Sequence, residues 1–218
     1  MKSLSTQALT EQRENACQLI RTHKLVAIIR LAEQSDVANV VECLVKGGVK
    51  ILEITSNTPG FTEEISKAKA LYPDILIGAG TIINEALATK AIAAGAQFLV
   101  TPNTHQGVVD LAHQSGLPVL MGALTPTEIV NAHEYGADFV KIFPAGAMGV
   151  KYFNDLAGPF KQIDLIAVGG VNVDNLPQWL QAGAIGVGVG NDLTQAARTE
   201  QEKVELISHV KKYIGKLS

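Results

Sequence analysis

Apolar and β-branched residues gather in short runs that recur every twenty to thirty positions. Each run closes on Gly, Pro, Thr or Asn before a stretch with apolar residues at helical spacing. The runs are LVAIIR (25–30), ILEIT (51–55), ILIGAG (75–80), QFLVT (97–101), PVLMG (118–122), DFVKIF (138–143), LIAVGG (165–170) and IGVGVG (185–190). Their alternation with helical stretches predicts an α/β protein with a parallel sheet. Eight such units favour a closed (β/α)8 TIM barrel over an open doubly wound sheet. Helix starts are marked by Ser35, by Thr62 with Glu63 and Glu64, by Pro126 and by Asp174. Gly47, Gly95, Gly116, Gly136 and Gly183 stand where left-handed helix caps are needed. Residues 4–23 read as an additional N-terminal helix that covers the barrel bottom, so that 1–24 is a cap on a single domain spanning 1–218.

Composition agrees with one large core, since 47% of the 218 residues are hydrophobic and 18% charged. A net charge of −3 with no basic cluster argues against nucleic acid or an anionic membrane as partner and leaves a small molecule. Residues 1–20 lack the apolar core and cleavage site of a secretory signal, so a cytoplasmic location is expected. Cys17 and Cys43 are far apart and are expected to be buried helix thiols.

In a barrel of this kind chemistry collects at the C-terminal strand ends. Arg30, Glu53, Thr55, Thr81, Thr101, Pro102 and Lys141 all fall there, and the last two strands end in Gly169–Gly170 and Gly190–Asn191. Strand alternation puts Lys141 on one face with Phe139 and Phe143, and Glu53 with Ile51 and Thr55. Under the helix ring an unpaired Lys or Glu would be costly to desolvate, which favours the upper lumen for both. A lysine among aromatic rings loses proton affinity and becomes an amine nucleophile able to form a Schiff base, and a nearby carboxylate can move protons for it. The alternative is a buried structural ion pair. Glycine-ended final strands offer backbone N–H groups to a phosphate, or else are tight turns alone.

Other chemistries lack their residues. GVGVGND has the wrong spacing for a dinucleotide fingerprint, GAGTII lacks its third glycine, and there is no GxxxxGK[ST]. His23, His105, His113, His133 and His209 show no metal-site spacing, which argues against a zinc-dependent enzyme and leaves them as mostly solvated surface residues. Trp179 reads as helix packing.

With LEIT around Glu53, IGAGTI with Thr81, LVTPN with Pro102, KIFPA with Lys141 and Phe143, and AVGGV followed by GVGVGNDL, the chain from about Leu25 to Leu193 resembles the class I 2-keto-3-deoxy-6-phosphogluconate and 4-hydroxy-2-oxoglutarate (KDPG/KHG) aldolases. The resemblance implies cleavage of 2-keto-3-deoxy-6-phosphogluconate to pyruvate and D-glyceraldehyde 3-phosphate, and of 4-hydroxy-2-oxoglutarate to pyruvate and glyoxylate. Lys141 would be the Schiff-base lysine and Glu53 the general acid/base. Thr81 would hold the pyruvate carboxylate, and Phe143 with Pro102 would wall its methyl group. Gly169, Gly170, Gly190 and Asn191 would bind phosphate, and Arg30 the substrate's charged end. It further implies a homotrimer without metal or organic cofactor.

Two departures bear on the substrate. Thr55–Ser56–Asn57–Thr58 stands where many gluconate-type members carry TLRT, and Asn57 together with Arg30 is similar to the galactonate-type members. Asn191 replaces a common serine, and an amide can still donate a hydrogen bond. The rival readings are the 6-phosphogalactonate epimer as substrate, a phosphosugar isomerase or epimerase on the same barrel, and a non-catalytic phosphosugar-binding protein.

Overall fold

The computed structural model describes residues 5–217. Position 4, at the start of the expected N-terminal helix, lies outside them. The chain runs α1 (Thr6–His23), β1 (Leu25–Ile29), α2 (Val37–Gly47), β2 (Ile51–Thr55), α3 (Phe61–Leu71), β3 (Leu76–Gly80), α4 (Glu85–Ala93), β4 (Leu99–Val100), α5 (Gln106–Gln114), β5 (Val119–Ala123), α6 (Pro126–Glu134), β6 (Phe139–Ile142), α7 (Ala145–Ala157), β7 (Leu165–Val168), α8 (Leu176–Gln181), β8 (Gly186–Val189) and α9 (Glu200–Ile214). All strands are parallel and in chain order, and β8 pairs back to β1 through Leu25 and Val187, closing the (β/α)8 barrel.

Strand alternation divides the core in two. Ala27, Ile29, Leu52, Ile54, Ile77, Val140 and Ala167 face outward and pack under the helices. Val26, Ile28, Ile51, Leu76, Phe98, Val100, Leu120, Phe139, Ile166 and Val168 fill the lumen. Ala16, Cys17 and Ile20 of α1 join this inner cluster and stop the lower end of the barrel. Polar contacts fix that plug. Arg21 Nε donates to Asp164 Oδ2 at 2.8 Å, and Arg13 and Cys17 both meet Asp138 Oδ1 at 3.5 Å. Burial pushes the Cys17 thiol up, so it packs as a neutral group. Cys43 is likewise buried, in α2, and Trp179 packs edge-on to Phe153 with centroids 5.8 Å apart.

Element ends deviate from the sequence reading where a neighbouring residue captures the backbone. Pro126 does open α6, behind a reciprocal capping box of Thr125 and Glu128. Ser35, however, lies inside a 3-10 turn, Gln34–Asp36, and α2 starts after it. Thr62 is already inside α3, which follows the left-handed Gly60. Asn175, not Asp174, precedes α8. Gly47 remains helical and Gly48 takes the left-handed φ of 105°. Gly95, Gly116, Gly136 and Gly183 have positive φ, as their cap positions require. No described helix is long and apolar enough to cross a membrane.

Gly122 pairs in register with Lys141, and a Cβ there would lie 2.3 Å from the Pro102 carbonyl carbon. The loop cannot recede, because Thr101 Oγ1 accepts from Gly122 N at 2.9 Å and Thr104 Oγ1 donates to Gly122 O at 3.1 Å. Gly122→Ala is therefore expected to lose about 1–3 kcal/mol of stability in urea titrations. Gly158→Ala is its control. Gly158 is right-handed helical, with no neighbour closer than 3.7 Å to an added Cβ, and its substitution should be neutral or stabilising by up to about 1 kcal/mol.

Candidate active site

Lys141 and Glu53 project from β6 and β2 on the lumen parity of Phe139 and Ile51, as alternation predicts. Lys141 is 5% exposed, with Nζ 5.0 Å from the Phe143 ring centroid. Burial pushes its pKa down, the Arg30 cation pushes the same way, and Glu53 opposes both. Glu53 is 1% exposed and its Oε2 has no hydrogen-bond partner among the described residues. Burial pushes the Glu53 carboxyl up, against the pull of Lys141 and Arg30. The two share a field without a direct hydrogen bond or ion pair between them. A buried amine biased toward its neutral form and a buried acid biased toward holding its proton are suited to nucleophilic addition and proton transfer. Glu53 has room only because β3 presents Gly80, where a Cβ would stand 2.2 Å from Glu53 Oε1.

A cavity of about 470 Å³ opens above Lys141. It brings together seven of the sequence-predicted residues: Arg30, Lys141, Phe143, Gly169, Gly170, Gly190 and Asn191. Glu53, Thr81 and Pro102 are not among its lining residues. Thr81 follows β3 in the left-handed region at φ 56°, with its carbonyl held by Ser56 Oγ at 2.7 Å. Pro102 follows β4 and presses its carbonyl against Gly122, beside Lys141. Asn57 is exposed on the turn after β2. That turn is tied to the residue after Arg30 by a 3.3 Å hydrogen bond from Leu31 N to Thr58 Oγ1.

The far end of the cavity is backbone. Strands β7 and β8 stop at Val168 and Val189, short of the glycines, and Gly169 and Gly170 both have positive φ, 92° and 76°. The N–H groups of Gly170, Val171, Asn191 and Asp192 have no partner among the described residues, and all four residues line the cavity. Such a concave set of donors suits an oxyanion.

Sequence reasoning missed the residues that hold these loops. Asn175 Nδ2 donates to Gly170 O at 2.9 Å while its Oδ1 accepts from Asn172 N at 2.8 Å. The Asn172–Asn175 spacing is an Asx-turn signal that would have found them. His209 and His113 are not solvated surface residues: their Nε2 atoms meet Asp192 at 3.0 Å and Asp138 at 3.1 Å. Seventeen residues separate His209 from Asp192, beyond any local pattern. Among the described residues no group of three or more His, Cys, Asp or Glu is placed to hold a metal.

Residues 17–210 match the family model described as KDPG and KHG aldolase. The chain is 35% identical over 192 residues to a 2-dehydro-3-deoxy-6-phosphogalactonate aldolase of Escherichia coli K12, covering 87% of this chain and 94% of that one. It is 32% identical over 179 residues to a 2-dehydro-3-deoxy-phosphogluconate aldolase of Haemophilus influenzae, covering 82% and 81%. A KDPG aldolase from Legionella pneumophila, solved with pyruvate captured as a covalent carbinolamine intermediate, superposes with a TM-score of 0.79 at 26% identity, covering 93% of this chain and 98% of that chain. A full-length barrel match, a buried lysine–carboxylate pair and a family model spanning nearly the whole chain lead to one conclusion: this protein belongs to the KDPG and KHG aldolase family of pyruvate-dependent, Schiff-base carbon–carbon lyases.

Proposed function

We propose that the chain cleaves 2-keto-3-deoxy-6-phosphogluconate to pyruvate and D-glyceraldehyde 3-phosphate, with Lys141 as nucleophile and Glu53 as proton carrier. The burial of Lys141 beside Phe143, in the field of an unpartnered Glu53, carries this reading. The neutral amine adds to the C2 ketone, and Glu53 protonates the carbinolamine hydroxyl so that it leaves as water. The iminium then accepts the electron pair released when the C3–C4 bond breaks, as the C4 hydroxyl loses its proton and becomes the aldehyde. The resulting enamine is protonated at C3, and water returns pyruvate and the free amine. The iminium is the electron sink, so no metal or organic cofactor is required.

Thr81 is assigned to the pyruvate carboxylate, and Phe143 with Pro102 to the methyl group. Gly169, Gly170, Gly190 and Asn191 are assigned to the phosphate, and Arg30 to the charged end of the substrate. The unphosphorylated 4-hydroxy-2-oxoglutarate uses the same lysine without the phosphate contacts. A phosphorylated acid does not cross membranes unaided, which supports a cytoplasmic location. Family membership supports a homotrimer, measurable by light scattering.

Borohydride reduction in the presence of pyruvate, followed by intact mass and peptide mapping, tests the mechanism. One reduced pyruvyl adduct at Lys141 is expected, and no adduct on folded protein returns the isomerase and binding-protein readings. The placement of Asn57 beside the Arg30 rim, and the identity to the E. coli relative, favour a second reading in which the 6-phosphogalactonate epimer is preferred. The ratio of kcat/KM on the two epimers decides between them.

The electrostatics also set a pH dependence. Because burial lowers the Lys141 pKa, pyruvate trapping should reach half its maximum rate at a pH below that of a free lysine. Glu53 raises that pKa, so Glu53→Gln should move the midpoint lower still. A midpoint that rises, or stays where it is, contradicts the coupling.

A further inference from the structure

We infer that Asp192, gripped by Tyr213 and His209 of α9, is a positioning residue that aims the Gly190–Asp192 turn at the substrate's phosphate. This rests on the phosphate assignment made above and adds what holds the cradle in shape.

The turn is tightly wound. Leu193 N and Thr194 N both donate to Gly190 O, at 2.8 and 3.1 Å, and Thr194 Oγ1 donates to Ile28 O at 2.9 Å. Winding spends those two N–H groups and leaves the N–H groups of Asn191 and Asp192, both cavity-lining residues, without a partner among the described residues. Asp192 brings a difficulty with it. Asp192 is itself one of the residues lining the cavity, and a carboxylate swung into it would repel an incoming phosphate.

The structure turns that charge away. Asp192 Oδ2 accepts from the Tyr213 hydroxyl and meets His209 Nε2 at 3.0 Å. The two rings pack edge to face at 5.4 Å, and Tyr213 is fully buried. The Val173 backbone, in the loop after β7, also lies near the Tyr213 hydroxyl. Helix α9 is a firm support, because it lies so close on α2 that a side chain at Gly47 would come within 2.3 Å of Val210. Donors fixed before the ligand arrives bind it without the cost of ordering them.

The test compares a phosphorylated keto acid with unphosphorylated 4-hydroxy-2-oxoglutarate in Tyr213→Phe, which keeps the ring, and in His209→Ala, at a partly exposed position that carries the test should the buried change unfold the chain. KM for the phosphorylated substrate is expected to rise about tenfold in the first and about threefold in the second, the range of one lost hydrogen bond felt through the turn. Inhibition by inorganic phosphate should weaken in parallel. The kcat, the yield of trapped pyruvate adduct and the KM for the unphosphorylated substrate should stay as in the unmodified protein. If neither KM moves, or both rise together, Asp192 does not act on phosphate and the inference is overturned. If the unmodified protein forms no adduct, or handles both substrates equally, the proposed function fails first and this inference with it. That failure is read without any substitution, so the two are distinguishable.

Discussion

Lys141→Ala is expected to lower turnover by on the order of 10⁴-fold or more and to abolish the borohydride-trapped pyruvate adduct in protein that remains folded. Without the amine there is no iminium, and the electron pair released on C3–C4 cleavage has no sink. The fold should tolerate the change. The Lys141 side chain makes no hydrogen bond or ion pair among the described residues, and Glu53, relieved of the nearby cation, can take up a proton. Lys141→Met, which refills the volume, should melt at or above the unmodified protein, since it replaces a buried amine with an apolar chain. Cleavage at the native rate by the alanine variant would sink the mechanism.

Glu53→Gln should reduce kcat by about 10²–10⁴-fold, the usual range for a positioned proton carrier. Unlike the lysine variant, it should still be trapped as a pyruvate adduct, more slowly, because the nucleophile survives while dehydration of the carbinolamine is unassisted. Single-turnover trapping separates the two roles. Equal and complete loss of adduct in both variants would mean that Glu53 shapes the site and does not move protons in it. Gly80→Ala should resemble Glu53→Gln, since its added carbon would displace the Glu53 carboxylate from 2.2 Å away.

The barrel was legible because its signal is periodic. Alternation alone places Lys141 with Phe139 and Glu53 with Ile51, and the structure puts both pairs on the lumen parity. Helix starts were less legible. Ser35 and Thr62 are good caps by type, but Asp36 and Gly60 occupy the positions where the backbone enters the helix. The catalytic candidates could be read from the ends of strands, whereas the residues that hold the anion cradle could not. Asp192 meets His209 and Tyr213 only because α9 folds back onto α2, and a contact of that kind leaves no trace in local spacing. Asn175 lay within reach of pattern reading, three residues after Asn172, but its target is a carbonyl, Gly170 O, and carbonyls are invisible in a string of side chains.

The α1 plug has a kinetic meaning. With Ala16, Cys17 and Ile20 closing the lower end beneath a lumen packed with side chains, the cavity above Lys141 opens from the upper end alone among the described residues. On the proposed assignment, a three-carbon acid bonded to Lys141 lies deeper than a phosphorylated aldehyde at the glycine rim, so the aldehyde is expected to leave first and pyruvate second. In the condensation direction the same assignment expects pyruvate to bind first and excess aldehyde to inhibit by occupying the mouth of the cavity.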